Sequence, residues 1–381
     1  MAYFDNAATT YPKPEIVYQS MDRFQRHTGG SFGRGNYGFS SSAKSVVDDT
    51  RTAIQQLLHC PAKQVVFEPS ATISLNIIIQ GIIENGARNI YISPFEHNAV
   101  TRTLHHYEAR GLVKVVELTV NKALCYDIQR IRFQFENTKP DLVIVSHASN
   151  VIGLVAPVEE IFTLAKEFHA LTLLDMAQTA GLVDCDIGND IFDFAVFAGH
   201  KTLLGPTGIS GFVMKPNIDL EPVFFGGTGL DSANQDMPAS LPERFEFGTM
   251  NTIGVVGLNA SVKWILQQGI NNLATAELKN RARLIEILNE YDFVSVIGNC
   301  DGHDYVGIVS CVLDDISSDT AGQLFSERNI SVRTGLQCAP AAHKFLNTFP
   351  AGTVRFSVNY FTNDEDFDVL REALDDINDN L

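Results

Sequence analysis

The sequence is poor in cysteine and has no closely spaced cysteine pair. Its 381 residues include six cysteines, none in a C-x-x-C arrangement, which argues against a zinc knuckle or a thioredoxin-type motif, and we predict no metal site. So few cysteines in a large chain predict free thiols and a reducing, cytoplasmic environment. The six are Cys60, Cys125, Cys185, Cys300, Cys311 and Cys338.

Positive charge and long apolar runs are also scarce. The formal net charge is −17, which disfavours nucleic acid and anionic membranes as partners. The longest apolar stretch, near 77–83, is interrupted by Gln80 and Gly81, so no membrane span is predicted. The N-terminus lacks a basic region followed by an apolar core, so no signal peptide is expected.

Short, apolar, β-branched runs alternate with longer amphipathic ones over the first two thirds of the chain. This alternation predicts an α/β sheet with helices on both faces. The predicted strands are 65–67, 89–93, 114–119, 141–146, 171–175, 194–197 and 209–214. The predicted helices between them are 71–85, 97–110, 127–137 and 157–169.

The pattern changes near Ile253, where a long helical stretch begins. A further helix, a few strands and a last helix over 364–379 follow it. We therefore predict a large domain over 13–257 and a smaller α+β domain formed by 1–12 together with 258–381.

A lysine and an aspartate follow two of the predicted strands. Asp175 ends the 171–175 run, and Lys201 follows the 194–197 run in Gly-His-Lys. Taken alone, Lys201 reads as a solvated loop charge and Asp175 as a helix cap. Together, with Gln178 and His200 beside them, they match the needs of pyridoxal phosphate (PLP). The lysine amine can bind the cofactor covalently, and the carboxylate can keep the pyridine nitrogen protonated.

At this point the chain resembles the class-V, fold-type I PLP enzymes, and among them the cysteine desulfurases and selenocysteine lyases. The resemblance is carried by an ordered set of segments along nearly the whole chain: 3–10, 70–72, 96–99, 149–153, 175–178, 199–201, 244–249, 332–340 and 354–357. It implies a large domain with a seven-stranded, mostly parallel sheet and a smaller α+β domain.

The resemblance also implies a set of residues around the cofactor. Ala71 and Thr72 open a helix after a strand, where backbone N–H groups favour a phosphate, although a plain N-cap is the alternative. His97 is expected to stack on the ring and to handle protons. The other implied contacts are Asn150 with the ring hydroxyl and the substrate carboxylate, Gln178 with the ring oxygen, and His200 with the phosphate.

Two further positions carry implications of the same kind. Ala198 stands where many relatives have serine, so only backbone contact with the phosphate is expected there. Thr249 resembles a residue that reaches the phosphate of a partner subunit, which implies a homodimer.

Two residues near the C-terminus indicate which PLP-dependent reaction to expect. Arg355 suits a substrate α-carboxylate, with a surface arginine as the alternative. Cys338 lies in a glycine-containing loop that resembles the persulfide-carrying loop of desulfurases. We therefore predict that L-cysteine is converted to L-alanine, with its sulfur moved to Cys338 and then to a reductant or an acceptor protein.

Other functions remain open on the sequence. A selenocysteine lyase or cysteine sulfinate desulfinase would share nearly all of these residues. A class-V aminotransferase would need Lys201, Asp175 and Arg355 but not Cys338. A non-catalytic protein of this fold would be expected to lack Lys201 or Asp175, and both are present.

One glycine-rich motif resembles a dinucleotide-binding site. Residues 33–38 match G-x-G-x-x-G literally, but a dinucleotide fingerprint must follow a buried strand and open a helix. A polar helix over 15–27 and further glycines precede this match. We predict a glycine-rich loop at the mouth of the active site instead.

Overall fold

Strands and helices alternate along the chain as its hydrophobic pattern predicts. The computed structural model describes residues 1–28, 38–229 and 233–380. Its strands are β1 (Ala2–Tyr3), β2 (Gln64–Glu68), β3 (Asn89–Ile92), β4 (Lys114–Glu117), β5 (Leu142–Ser146), β6 (Leu171–Asp175), β7 (Phe194–Ala198), β8 (Ser210–Met214), β9 (Val294–Ile297), β10 (Ile308–Leu313), β11 (Ile330–Ser331), β12 (Arg333–Gly335) and β13 (Thr353–Ser357).

The helices occupy the intervals between these strands. They are α1 (Glu15–His27), α2 (Gly38–Leu57), α3 (Ala71–Glu84), α4 (Asn98–Glu108), α5 (Ile128–Asn137), α6 (Val158–Glu167), α7 (Thr252–Gln268), α8 (Ile270–Leu288), α9 (Ser318–Glu327), α10 (Pro340–Phe345) and α11 (Asp364–Asn378). Among the described residues, no helix is both long and apolar enough to cross a bilayer.

Seven strands form the central sheet, in the order β2-β8-β7-β6-β5-β3-β4. Strand β8 pairs antiparallel with both of its neighbours, and the remaining pairs are parallel. The prediction of a seven-stranded, mostly parallel sheet is confirmed. Every residue of β5, β7 and β8 is buried, as expected for strands covered on both faces.

Successive residues of β5 show how the two faces are covered. Val143 and Val145 pack into one hydrophobic cluster with residues of α2, α5, α6 and α7. Leu142 and Ile144 pack into a second cluster with residues of α3 and α4. Because side chains alternate across a strand, the two clusters lie on opposite faces of the sheet.

A second sheet is antiparallel and has the order β12-β13-β10-β9. Its core includes buried residues of α8, α9 and α11. The N-terminal strand β1 pairs with β11, so the first residues of the chain join this later part. The predicted domain boundary at 257/258 falls inside α7, and the division into 13–257 and the rest stays a prediction.

The predicted site residues lie at the ends of strands or in the second sheet. The parallel strands β5, β6 and β7 end at Ser146, Asp175 and Ala198, and carboxyl ends of parallel strands share one edge of a sheet. The second sheet contributes Arg355 from β13, and the loop after β12 carries Cys338.

Phe356 anchors the strand that carries Arg355. Its side chain is fully buried, and its ring centroid lies 6.0 Å from that of Phe4 and 5.3 Å from that of Phe325. The N-terminal segment, β13 and α9 therefore meet around one aromatic side chain.

We expect Phe356→Ala to lower the free energy of unfolding by about 3–5 kcal/mol, because the change leaves a cavity among packed rings. Chemical denaturation followed by circular dichroism measures this. The matched control is Phe133→Ala on α5, where the side chain is 65% exposed, and there a change within about 0.5 kcal/mol is expected. Equal losses for the two variants would contradict the assigned packing.

Candidate active site

A cavity of about 320 Å³ opens at the carboxyl edge of the central sheet. Sites for small molecules typically measure about 300–1,000 Å³. All predicted site residues except Thr249 line this cavity: Ala71, Thr72, His97, Asn150, Asp175, Gln178, Ala198, His200, Lys201, Cys338 and Arg355. The fold thus gathers residues that are up to 284 positions apart, since 355 − 71 = 284.

Asp175 and Lys201 form an electrostatic pair in this cavity. Asp175 Oδ1 accepts a hydrogen bond of 2.9 Å from the backbone N–H of Ala177, which orients the carboxylate. Burial raises the pKa of Asp175, and the charge of Lys201 opposes that rise. Burial lowers the pKa of Lys201 to about 8, against the opposing effect of Asp175. The lysine amine is therefore neutral in a larger fraction of molecules than an ordinary lysine.

His97 caps the first turn of α4. Its Nδ1 accepts a 3.0 Å hydrogen bond from the backbone N–H of Ala99. Burial, followed by the charge of Lys201, lowers the pKa of His97 to about 4. The ring is consequently neutral near pH 7, and because Nδ1 accepts, the proton is on Nε2.

Arg355 is buried, with 3% of its surface exposed, and two of its nitrogens are already engaged. Nη1 donates to the carbonyl of Asn150 at 2.9 Å, and Nη2 donates to Asp5 Oδ1 at 2.8 Å. Nε has no hydrogen-bond acceptor within the described residues. A guanidinium held in this way is oriented and still has a donor for an incoming carboxylate.

The start of α3 forms another part of the cavity wall. Ser70 is the N-cap, and its Oγ accepts a 3.3 Å hydrogen bond from the backbone N–H of Ile73. Ala71 and Thr72 follow as the first helical residues and line the cavity. The positive end of a helix dipole, with its free N–H groups, favours an anion such as a phosphate.

Polar atoms without partners show what kind of group this cavity suits. In the part of the chain that the structure describes, Asn150 Oδ1, His200 Nδ1 and Arg355 Nε are buried and lack hydrogen-bond partners. Such atoms are costly unless a ligand or water pairs with them. Gln178 Nε2 donates to the carbonyl of Ala7 at 3.0 Å and keeps its second hydrogen for another acceptor.

These features fit PLP. An anion site at α3, a carboxylate at Asp175, a reactive amine at Lys201 and the unpaired atoms of Asn150 and His200 match the phosphate, ring nitrogen, aldehyde and remaining polar groups of that cofactor. The burial of His200, which lowers its pKa to about 4, keeps its ring neutral.

Cys338 lies where the cavity meets an outer groove. Its loop connects β12 to α10, and the side chain is exposed. The groove has a volume of about 570 Å³ and is lined by Cys338 together with residues of α3 and α4, including Asn76 and Arg102. Cys338 thus lines both spaces.

The backbone around this thiol has an unusual conformation. Gln337 and Cys338 have φ angles of 38° and 58°, in the left-handed region that costs residues with a Cβ of order 1–3 kcal/mol each. The carbonyl of Cys338 accepts a 2.7 Å hydrogen bond from the backbone N–H of Asn98. This bond ties the loop to the start of α4.

Two sequence predictions fall outside the cavity. Thr249 lines a separate cavity of about 150 Å³ with Phe67, Glu68 and Asn251 among its neighbours. Its contact with a partner's phosphate stays a prediction. The glycine-rich loop predicted over 33–38 lies almost wholly outside the described residues.

Comparison with known proteins assigns the chain to a family. The family model for class-V aminotransferases matches residues 2–370. The chain belongs to the class-V aminotransferase family.

Relatives within this class-V family match over nearly the full length. A probable cysteine desulfurase of Aeropyrum pernix is 30% identical, with 99% of this chain and 94% of that protein covered. One of Methanothermobacter thermautotrophicus is 29% identical over 98% of this chain and 94% of that protein. An apo cysteine desulfurase structure from Thermococcus onnurineus superposes with a TM-score of 0.90 at 27% identity, covering all of this chain and 95% of that one.

Residues that sequence reasoning left without a role also shape this class-V site. Asp5 pairs with Arg355 across 350 positions. Glu96 is fully buried and accepts hydrogen bonds from the backbone N–H of Ser146 at 2.6 Å and from its Oγ at 2.8 Å. Burial raises the pKa of Glu96 to about 8. Both acids stand in segments that carry the family resemblance, but no local pattern reveals their partners.

We expect the Lys201 amine to be acylated with a midpoint near pH 8 in protein freed of cofactor, because burial lowers its pKa from 10.5. Asp175→Asn should move the midpoint lower, since it removes the negative charge that favours the ammonium form. Mass spectrometry of the Lys201 peptide across a pH series measures this. Asp127→Asn, at the N-cap of α5, is the control and should leave the midpoint unchanged. A midpoint near 10.5 would contradict the assigned environment.

Proposed function

We propose that this protein is a PLP-dependent cysteine desulfurase, which converts L-cysteine to L-alanine and moves the sulfur to Cys338. The observation that carries the proposal is the exposed Cys338 thiol in the same cavity as Lys201, Asp175 and Arg355. Because a PLP fold alone is compatible with many reactions, the thiol is the feature that favours desulfuration. The relatives that match over nearly the whole chain bear the same name and support the proposal.

Binding of the cofactor is assigned to residues already described. Lys201 would hold PLP covalently, Asp175 would face its ring nitrogen, and the start of α3 with His200 would face its phosphate. When bound, PLP supplies an electron-withdrawing ring that weakens bonds at the carbon bearing the substrate amine.

Substrate orientation depends on Arg355. Its guanidinium is held by Asn150 and Asp5, and its remaining N–H can meet the α-carboxylate of an amino acid. A charge-assisted hydrogen bond in a buried setting is stronger than one in water. The carboxylate is thereby fixed in the cavity that Cys338 also lines.

Proton movement falls to Lys201 and His97. When Lys201 is not covalently engaged, its amine, with a pKa near 8, can accept the Cα proton of the substrate. His97 is neutral with its proton on Nε2, so it can donate a hydrogen bond into the cavity without adding charge.

Sulfur transfer then balances without an outside oxidant. The Cys338 thiolate attacks the sulfur of L-cysteine, a sulfur–sulfur bond forms, and the bond between Cβ and sulfur breaks. The electron pair of the broken bond stays with Cβ, which takes up one proton and becomes the methyl group of L-alanine. The sulfur is oxidised to the sulfane level as the carbon is reduced.

Release of that sulfur requires a reductant or an acceptor, and the outer groove offers the route. Cys338 is reached from this groove without entering the cavity, so a thiol of an acceptor protein can meet the persulfide there. All six cysteines are free, which fits our proposal that the protein works in the reducing cytoplasm.

Cys338→Ser should lower the rates of alanine and sulfide formation from L-cysteine to near background, because the hydroxyl cannot take up the sulfur. Both proteins should be yellow with PLP, and borohydride should fix the cofactor on Lys201. Wild-type protein incubated with L-cysteine should gain one sulfur on the Cys338 peptide by mass spectrometry.

Cys125→Ser is the matched control, since Cys125 is also an exposed free thiol. It should keep wild-type activity. Full desulfuration by Cys338→Ser would refute the proposed role, and activity that instead requires an amino acceptor would indicate an aminotransferase.

A two-fold symmetric homodimer is also part of the proposal. Thr249 lies outside the central cavity of its own chain, as a residue serving a partner's site would. Light scattering should give twice the chain mass, and Thr249→Ala should weaken PLP retention by severalfold without changing that mass. An active monomer at the assay concentration would refute the assembly.

A further inference from the structure

The Cys338 loop has a backbone conformation that is costly for its residues. Two consecutive residues, Gln337 and Cys338, adopt left-handed backbone conformations although both carry a Cβ. Such conformations persist only where surrounding contacts hold them. Gln337 is 5% exposed, and it lines the cavity beside Cys338.

The Gln337 amide is bound on both sides. Its Nε2 donates to the carbonyl of Thr353 at 3.0 Å, which sets the orientation of the amide group. Its Oε1 then faces His343 Nε2 at 2.8 Å. Because Oε1 can only accept, His343 must donate from Nε2.

His343 is held in the tautomer that this contact requires. The side chain is fully buried, and its Nδ1 lies 2.7 Å from Thr348 Oγ1, a hydroxyl that can donate to it. Burial lowers the pKa of His343 to about 4, so the ring stays neutral near pH 7. No part of the mechanism proposed above uses this histidine.

The backbone of the loop is tied to the cavity wall as well. The carbonyl of Gln337 accepts a 2.7 Å hydrogen bond from Asn150 Nδ2, and that of Cys338 accepts one of 2.7 Å from the backbone N–H of Asn98. The side chain of Gln337 thus holds the loop through Thr353 and His343, while Asn150 of the cavity wall and Asn98 of the outer groove hold its backbone.

We propose that Gln337 and His343 form a buried clamp that positions the Cys338 thiol at the mouth of the cavity. We assign them a positioning role, because the Gln337 amide is bound to Thr353 and His343, and His343 does not line the cavity. The thiol is then in place before substrate arrives, and sulfur transfer needs no ordering of the loop. The catalytic consequence rests on the proposed desulfurase function, whereas the clamp itself does not.

The test compares Gln337→Ala with Gln55→Ala in the full-length protein loaded with PLP. Gln55 is a half-buried glutamine that also donates to a backbone carbonyl, that of Lys63 at 2.7 Å, and it does not line the cavity. Hydrogen exchange is measured at the Asn98 and Ala339 amides, which donate to carbonyls of this loop. We expect exchange to quicken at least about tenfold in Gln337→Ala and to stay within about twofold in Gln55→Ala.

Kinetics supply the second readout. Misplacement of a reacting group by about 1 Å can cost about 100-fold in rate, so kcat for alanine formation should fall by about 10- to 100-fold in Gln337→Ala, with KM within about threefold. His343→Phe, which keeps an aromatic ring but not the donor, should show the same pattern more weakly. It also serves if Gln337→Ala fails to fold.

Unchanged hydrogen exchange at the Asn98 and Ala339 amides in both Gln337→Ala and His343→Phe overturns the clamp. Faster exchange with wild-type kcat overturns its positioning role. The desulfurase proposal fails in a different place, when wild-type protein gains no sulfur on Cys338, and the exchange comparison still decides whether the clamp exists.

Discussion

Charged side chains buried at the carboxyl edge of the central sheet impose the constraint on which this site depends. A charge removed from water must be paired or must change its protonation. For Asp175 and Lys201, the charge of each partly opposes the effect of burial on the pKa of the other, and the pKa of the amine is about 8. The charge of Arg355 is paired with that of Asp5, at 2.8 Å. The resulting site combines the Lys201 amine with an oriented guanidinium at Arg355.

The same constraint joins distant parts of the chain. Asp5 belongs to the N-terminal segment, and Asn6 Nδ2 of that segment donates to the carbonyl of Ser357 at 2.8 Å. Arg355 in turn donates to Asn150 of the central-sheet region. The carboxylate-binding group is therefore built at a junction of three segments, and its orientation depends on all of them.

The thiol is placed by a different kind of interaction. Neutral hydrogen bonds through Gln337 and His343 hold a strained loop, and no charge is involved near pH 7. Asn150 links this loop to the guanidinium, since its side chain donates to the carbonyl of Gln337 and its own carbonyl accepts from Arg355. The arrangement leaves Cys338 open to the outer groove, from which an acceptor can approach.

The sequence by itself determined the local elements and the family. The predicted strand over 171–175 coincides with β6, and each of the seven predicted strands overlaps a strand of the central sheet. Hydrophobic periodicity reports which face of a segment is buried, so such elements can be read locally. Lys201 and Asp175 were found because they follow two of the predicted strands, and Arg355 was found because its segment resembles that of known enzymes.

Only the tertiary structure decided which distant groups meet. The antiparallel placement of β8, the Asp5–Arg355 pair and the Gln337–His343 contact have no local signature, although the last two residues are only six positions apart. The hydrogen bond between Gln337 and His343 depends on the amide orientation that Thr353 fixes and on burial, and both exist only in the folded chain. Thr249 shows the same limit, because its separation from the cavity follows from chain folding and not from its own segment.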